Sequence, residues 1–194
     1  MSYQQFDEIY DQHKTAVYSF ACHLTQNRGE AEDLFQETWL RVAQHFPRVL
    51  DMKKVKAWLF TITANLHKDG LRKKRIRRLF LFQKKWETDQ SQILGEDVPD
   101  QGNIKVLDES EQVDLGLAIS QAMARLPDKH RLIFALKEIA GFKQEEIGEM
   151  LGVPVGTVKS LMYRAVRSLR QDLADYHASW KKQNERGPNE MQRC

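Results

Sequence analysis

Between Glu145 and Arg167 the chain spaces small, apolar and cationic residues in a pattern suited to reading a polyanion. Ile147, with Met150 or Leu151, gives a short helix its apolar face, and Gly148 leaves room for a second helix to cross closely. Gly152 can take the left-handed conformation of a tight helix end. Pro154 can open the next helix, where its missing amide would be unpaired anyway. Val158, Leu161 and Met162 then return to the core. The exposed face of this second helix carries Val155, Thr157, Lys159, Ser160, Tyr163, Arg164 and Arg167. Thr157, Lys159 and Ser160 can hydrogen-bond base edges or phosphates, while Arg164 and Arg167 are better placed for backbone phosphates. The spacing predicts two helices joined by a tight turn, the second presented to a DNA major groove. The rival is an ordinary helical hairpin with solvated arginines. Two glycines at matching offsets and a basic polar side favour DNA.

A second cationic segment has different chemistry. Trp58 and Phe60 precede Asn65, Lys68, Arg72, Lys73, Lys74 and Arg75 on one expected helix. Rings beside cations suit single-stranded DNA, whose bases stack while the cations hold phosphates. A base pulled from the duplex needs a pocket, and the loop from Pro47 to Lys54 could supply part of one. Taken alone, Trp58 and Phe60 read as core, because aromatics at helical spacing are usually buried. The charge after Asn65 is harder to explain without a polyanion, since like charges at helical spacing repel.

A third surface is acidic. In Ala31–Arg41, Leu34, Gln36, Glu37 and Leu40 fall off the stripe Ala31, Phe35, Trp39, Val42 and Phe46. Exposed leucines beside carboxylates make a plausible protein-docking face.

Nothing points to an enzyme. The histidines (His13, His23, His45, His67, His130 and His177) are scattered, without the His-Glu-x-x-His spacing of a metal hydrolase. Cys22 and Cys194 are too few for a disulfide framework or a zinc cluster. The expectation is no catalytic residue, no metal and no cofactor.

The elements that must carry these surfaces are helices. Phe6, Ile9, Tyr10, Val17, Ala21 and Leu24 mark the apolar face of a first helix, stopped at Asn27-Arg28-Gly29. A second runs from about Glu30 to Phe46, ended by Pro47. Asp51 can cap a long third helix, which Gly70 weakens and can bend. Charges from Lys53 to Lys85 are positive except Asp69; from Glu87 to Asp114 they are negative except Lys105. Such alternation suggests polyanion-binding modules separated by an acidic connector. In the C-terminal module, Asp128 after Pro127 can cap a helix bearing Leu132, Ile133, Leu136 and Ile139, stopped by Gly141. The expected fold class is all-α: two small helical domains (1–82 and 113–176) joined by an acidic linker (83–112), the C-terminal one a helix-turn-helix, with a polar tail (177–194). No apolar run approaches the ~20 residues of a membrane span. The N-terminus lacks a signal-peptide pattern, so a cytosolic location is expected.

With these residues in hand, the chain resembles the extracytoplasmic-function sigma factors of the sigma-70 superfamily, from about Phe6 to Leu173. Three motifs carry the likeness. Ala31-Glu32-Asp33-Leu34-Phe35-Gln36-Glu37 looks like the helix that binds the clamp of core polymerase. Trp58-Leu59-Phe60-Thr61-Ile62-Thr63-Ala64-Asn65, running into Asp69 and Arg72, is similar to the segment that melts and captures the −10 element. Leu126-Pro127 with Arg131, then Glu146-Ile147 and Gly156-Thr157-Val158-Lys159-Ser160 with Arg164-Ala165, looks like the domain that reads the −35 element. The resemblance implies polymerase contacts by Asp33, Leu34, Gln36, Glu37 and Arg41. It implies −10 contacts by Trp58, Asn65, Lys68, Arg72 and Arg75, and −35 contacts by Val155, Thr157, Lys159, Ser160, Tyr163, Arg164 and Arg167. The implied partners are core RNA polymerase (the β′ clamp and β flap), promoter DNA and an anti-sigma factor. The acidic linker would thread the polymerase's RNA channel. Three positions depart from the family: Lys143 replaces a small hydroxyl helix cap, Gly148 an alanine, and Leu161 a second arginine after Ser160.

Overall fold

A computed structural model describes residues 3–45, 52–88 and 111–184, and all the regular structure among them is helical. In order these are α1 (Tyr3–Thr25), α2 (Arg28–His45), α3 (Met52–Thr88), α4 (Glu111–Arg125), α5 (Asp128–Phe134), α6 (Gln144–Leu151) and α7 (Val155–Asn184); a π-helical turn, Ala135–Ile139, continues α5. Helices α1–α3 form one compact unit and α4–α7 another.

In the first unit, Ile9, Val17, Phe20, Ala21 and Leu24 of α1 pack with Ala31, Leu34, Trp39 and Val42 of α2 and with Val55, Leu59, Phe60 and Ala64 of α3. Each fully buried Leu, Ile or Phe contributes about 1.5–3 kcal/mol, and the three apolar faces meet in this one core. Aromatic edges line the α1–α2 seam: Tyr10 meets Trp39 at 4.8 Å between ring centres, and Tyr18 meets Phe35 at 5.6 Å. The α2–α3 seam also holds a buried polar contact. Thr38 donates to the Leu34 carbonyl at 2.7 Å, Thr63 donates to the Leu59 carbonyl at 3.0 Å, and the two hydroxyl oxygens lie 3.3 Å apart. Each hydroxyl thus satisfies itself on its own helix, as a buried polar group must.

The α1–α2 turn differs from the expected stop at Asn27-Arg28-Gly29. The left-handed residue is Gln26, at φ 55°, and Asn27 caps the next helix: its Oδ1 accepts from the Glu30 amide at 3.1 Å. Arg28 and Gly29 therefore belong to the first turn of α2. Helix α3 passes through Gly70 as continuous α-helix and runs on to Thr88, past the expected domain edge at 82. The proposed Asp51 cap and most of the acidic linker lie outside the described residues. The tail expected from residue 177 instead begins as helix, since α7 continues to Asn184.

In the second unit Ala122 and Met123 of α4, with Leu126 just after it, pack against Ala165 and Leu169 of α7, flanked by Phe134 and Leu173. Asp128 does not cap α5. Pro127 is the capping residue, its carbonyl accepting from His130 and Arg131, and the Asp128 carboxylate in the first turn accepts from Arg131 at 2.7 Å. Gly141, at φ 75°, ends the segment as expected. The π-turn before it has no signal in the sequence; Ala140 donates to the Ala135 carbonyl and Phe142 to Leu136.

Candidate functional site

The helix-turn-helix is built from its termini inward. Lys143 precedes α6 in extended conformation. Its side chain has no acceptor, so it cannot cap as a serine would. The Glu146 carboxylate still accepts from the Lys143 amide at 2.7 Å, the return half of a capping box. At the far end Gly152 adopts φ 66° and ψ 37°, and Val153 donates to the Gly148 carbonyl at 3.0 Å. This turn folds the chain so tightly that a Cβ on Gly148 would stand 3.0 Å from the Val153 carbonyl oxygen and 3.4 Å from Val155 Cγ2. Pro154 lies one residue ahead of α7, where its carbonyl accepts from Thr157 and Val158.

Helix α7 turns Val158, Ala165 and Leu169 into the core, while Leu161 and Met162 are half-buried. The opposite side exposes Thr157, Lys159, Ser160, Tyr163, Arg164 and Arg167. Tyr163, at 68% exposure, is the most exposed large hydrophobic of the described residues. Ser160 donates to the Thr157 carbonyl at 3.0 Å, which leaves its oxygen facing outward as an acceptor. Val155 is half-buried against Gly148 and so serves the turn as well as the outer face.

On α3, Phe60 is fully buried and meets Phe20 at 5.0 Å between ring centres, which removes it as a stacking platform. Trp58 is half-buried. Asn65, Lys68, Arg72 and Arg75 are all exposed. At about 100° per residue they fall within a sector of about 80°, beside Trp58. Five of the residues expected on a melted strand are thereby brought to one side of one helix.

On α2, Asp33, Gln36, Glu37 and Arg41 are exposed, with Glu37 accepting from Arg41 at 3.3 Å. Leu34 is a correction: it is only 9% exposed and belongs to the core. Helix α2 packs on both α1 and α3, so its buried arc is wider than a single stripe. Leu40, 56% exposed, remains as the apolar residue of the outer face. A shallow depression of about 480 Å³ between α1 and α2, lined by Tyr10, Lys14, Thr15, Tyr18, Glu32, Phe35 and Gln36, has no signal in the sequence.

Burial pushes the Cys22 thiol above its ordinary value, which works against a nucleophilic thiolate. Among the described residues no three His, Cys, Asp or Glu side chains group as metal ligands, and no helix is long and apolar enough to cross a membrane.

Helices with these outward faces suit the binding of nucleic acid and of a protein partner, and comparison with known proteins identifies the class. Residues 9–77 match the family model of sigma-70 region 2, and residues 116–169 match sigma-70 region 4. The chain is 35% identical to the ECF RNA polymerase sigma factor SigL of Mycobacterium tuberculosis over 86% of its length and 88% of that protein's. It is 34% identical to the ECF RNA polymerase sigma factor SigW of Bacillus subtilis, over 88% of this chain and 89% of that one. Among solved structures, the sigma factor RpoE of Bartonella quintana, in complex with the anti-sigma factor NepR, matches with TM-score 0.65 and 23% identity, covering 88% of this chain and 98% of that one. CnrH, in complex with the cytosolic domain of CnrY, matches with TM-score 0.59 and 20% identity over 90% of this chain and 91% of that one, a likeness of fold.

The chain belongs to the sigma-70 family. Within it, the chain is an ECF RNA polymerase sigma factor, a regulatory DNA-binding protein of promoter-specific transcription initiation.

Proposed function

We propose that the two units divide promoter recognition between them. The C-terminal unit, about 113–176, reads the −35 element as duplex. Thr157, Lys159, Ser160 and Tyr163 face base edges, Arg164 and Arg167 face phosphates, and Val155 sits at the margin. The N-terminal unit, about 1–82, holds the −10 element as a melted strand. Trp58 stacks beside Asn65, while Lys68, Arg72 and Arg75 carry the phosphates. Asp33, Gln36, Glu37 and Arg41, around exposed Leu40, dock the β′ clamp of core polymerase; the β flap meets the C-terminal unit. Leu34 contributes from beneath by fixing α2. The linker, about 83–112, follows the polymerase's RNA channel, where its carboxylates imitate a transcript. A protein with these partners works in the cytosol, beside the polymerase.

The observation that carries this reading is the α3 stripe. Asn65, Lys68, Arg72 and Arg75 are exposed together on the side of the helix opposite its core face. So aligned, they suit a single phosphate chain. Two solved relatives in fold are bound to an anti-sigma factor or to a cytosolic domain. We extend this to the present chain: a partner of that kind would cover these faces until transcription is required.

The decisive experiment is in vitro transcription with core polymerase, followed by sequencing of the start sites. Discrete promoters sharing −10 and −35 elements support the proposal. Absence of initiation, with any regulator removed, overturns it. A repressor without polymerase is the rival, and failure to bind core subunits in a pull-down would favour it.

A further inference from the structure

The cations of α3 do not all share one side. Among the described residues His67 is the last buried one of the helix, and every side chain from Arg72 to Arg78 is exposed. Lys74 continues the line of the core face and pairs with Glu30 of α2. Lys73 and Arg77, one turn apart, lie about 140° from the Asn65–Arg75 stripe, on the edge of the core face that Val55 and Leu59 begin, carried past its last buried residue and exposed. A single strand lying along that stripe does not reach them. Like charges this dense repel at helical spacing and call for an anionic partner. An α-helix is about 10–12 Å across with its side chains, and the major groove is about 12 Å wide. A helix cationic on two flanks therefore fits between two phosphate chains better than along one.

We infer that Lys73 and Arg77 form a second phosphate-binding site, which holds the complementary strand at the fork where the promoter duplex opens. The melted strand lies on the Asn65–Arg75 stripe and the other strand leaves along the Lys73–Arg77 flank, with α3 between them as a divider. Lys74 takes no part, because Glu30 engages it against α2. This inference rests on the proposed role of α3 at the −10 element.

The test uses the full chain bound to core polymerase and two DNA probes. One is a single-stranded oligonucleotide spanning the −10 element; the other is a fork with the same single strand and an upstream duplex. The variants are K73Q/R77Q and, for comparison, Arg72→Gln. Glutamine keeps good helix propensity, and circular dichroism checks that the fold is retained. On the fork, K73Q/R77Q should lower the slope of log affinity against log salt by about 1.8, for two phosphates. Between 50 and 200 mM salt the wild type should then lose about tenfold more affinity than the variant. On the single strand the double variant should match the wild type, whereas Arg72→Gln should weaken both probes. Equal losses on both probes, or none on the fork, overturn the second site. If wild-type holoenzyme fails to hold the single strand at all, the reading of α3 at the −10 element falls first, and the inference with it.

Discussion

Gly148 and Val153 meet at the tightest point of the helix-turn-helix, where a Cβ on residue 148 would stand 3.0 Å from the Val153 carbonyl oxygen. The obstacle is backbone, so it cannot swing away as a side chain would. Alanine gains about 0.5–1 kcal/mol of helix propensity over glycine, which offsets a shift of a few tenths of an ångström. Gly148→Ala should therefore be near neutral. Gly148→Val adds two carbons more than alanine does, beside Val155, and should destabilise the chain by about 2 kcal/mol through overpacking. Thermal denaturation of the two variants checks this; a Val variant as stable as the Ala variant would show that the turn opens freely.

Arg164 is exposed on the outer side of α7, one residue from buried Ala165. Arg164→Ala should weaken binding to upstream promoter duplex and reduce its salt slope by about 0.9. Affinity for core polymerase should hardly change. Both can be read by fluorescence titration, and a loss confined to polymerase binding would contradict the separation of surfaces.

Glu37 lies on the outer face of α2 and is paired with Arg41. Glu37→Lys reverses its charge and sets two cations four residues apart, at a cost to the helix of only about 0.5 kcal/mol. The fold should survive while affinity for core polymerase falls at least tenfold. Unchanged affinity in a titration would remove Glu37 from the interface.

His13 couples the N-terminal unit to pH. Burial, and then the nearby Lys56 ammonium, hold its imidazole below the ordinary histidine value. The unfolded chain therefore binds this proton more tightly than the folded one. Stability should fall as pH drops from about 6.5 through the lowered folded value, with the loss complete below it. Denaturant unfolding across that range should show the slope in the wild type and a flatter curve in His13→Gln. Identical curves would mean that His13 titrates as freely in the fold as outside it.

Local rules written into single residues were legible before the fold was known. Gly141 and Gly152 take the positive φ that a glycine at a helix end predicts, and Val158 reaches the core from the predicted face. What sequence could not weigh is how many neighbours each helix has. A single stripe on α2 through Phe35 puts Leu34 outside. With partners on two sides, α2 buries Leu34 and leaves Phe35 half-exposed in the aromatic seam. Phe20 is buried for the same reason, meeting Phe60 from α3. The stop at Asn27-Arg28-Gly29 was misplaced because asparagine can end one helix or start the next, and only the Glu30 amide decides between them. The π-turn at Ala135–Ile139 follows no local residue rule. On α3 and α7 the expected DNA-facing side chains are exposed together, apart from half-buried Trp58 and Val155.

Between Arg72 and Arg78, α3 carries its charges beyond the last buried side chain of the described helix. Exchanges there leave the core untouched, so this stretch can vary widely while the domain still folds. Related chains could thus diverge in how tightly they hold opened DNA through surface changes alone, without first acquiring compensating mutations inside.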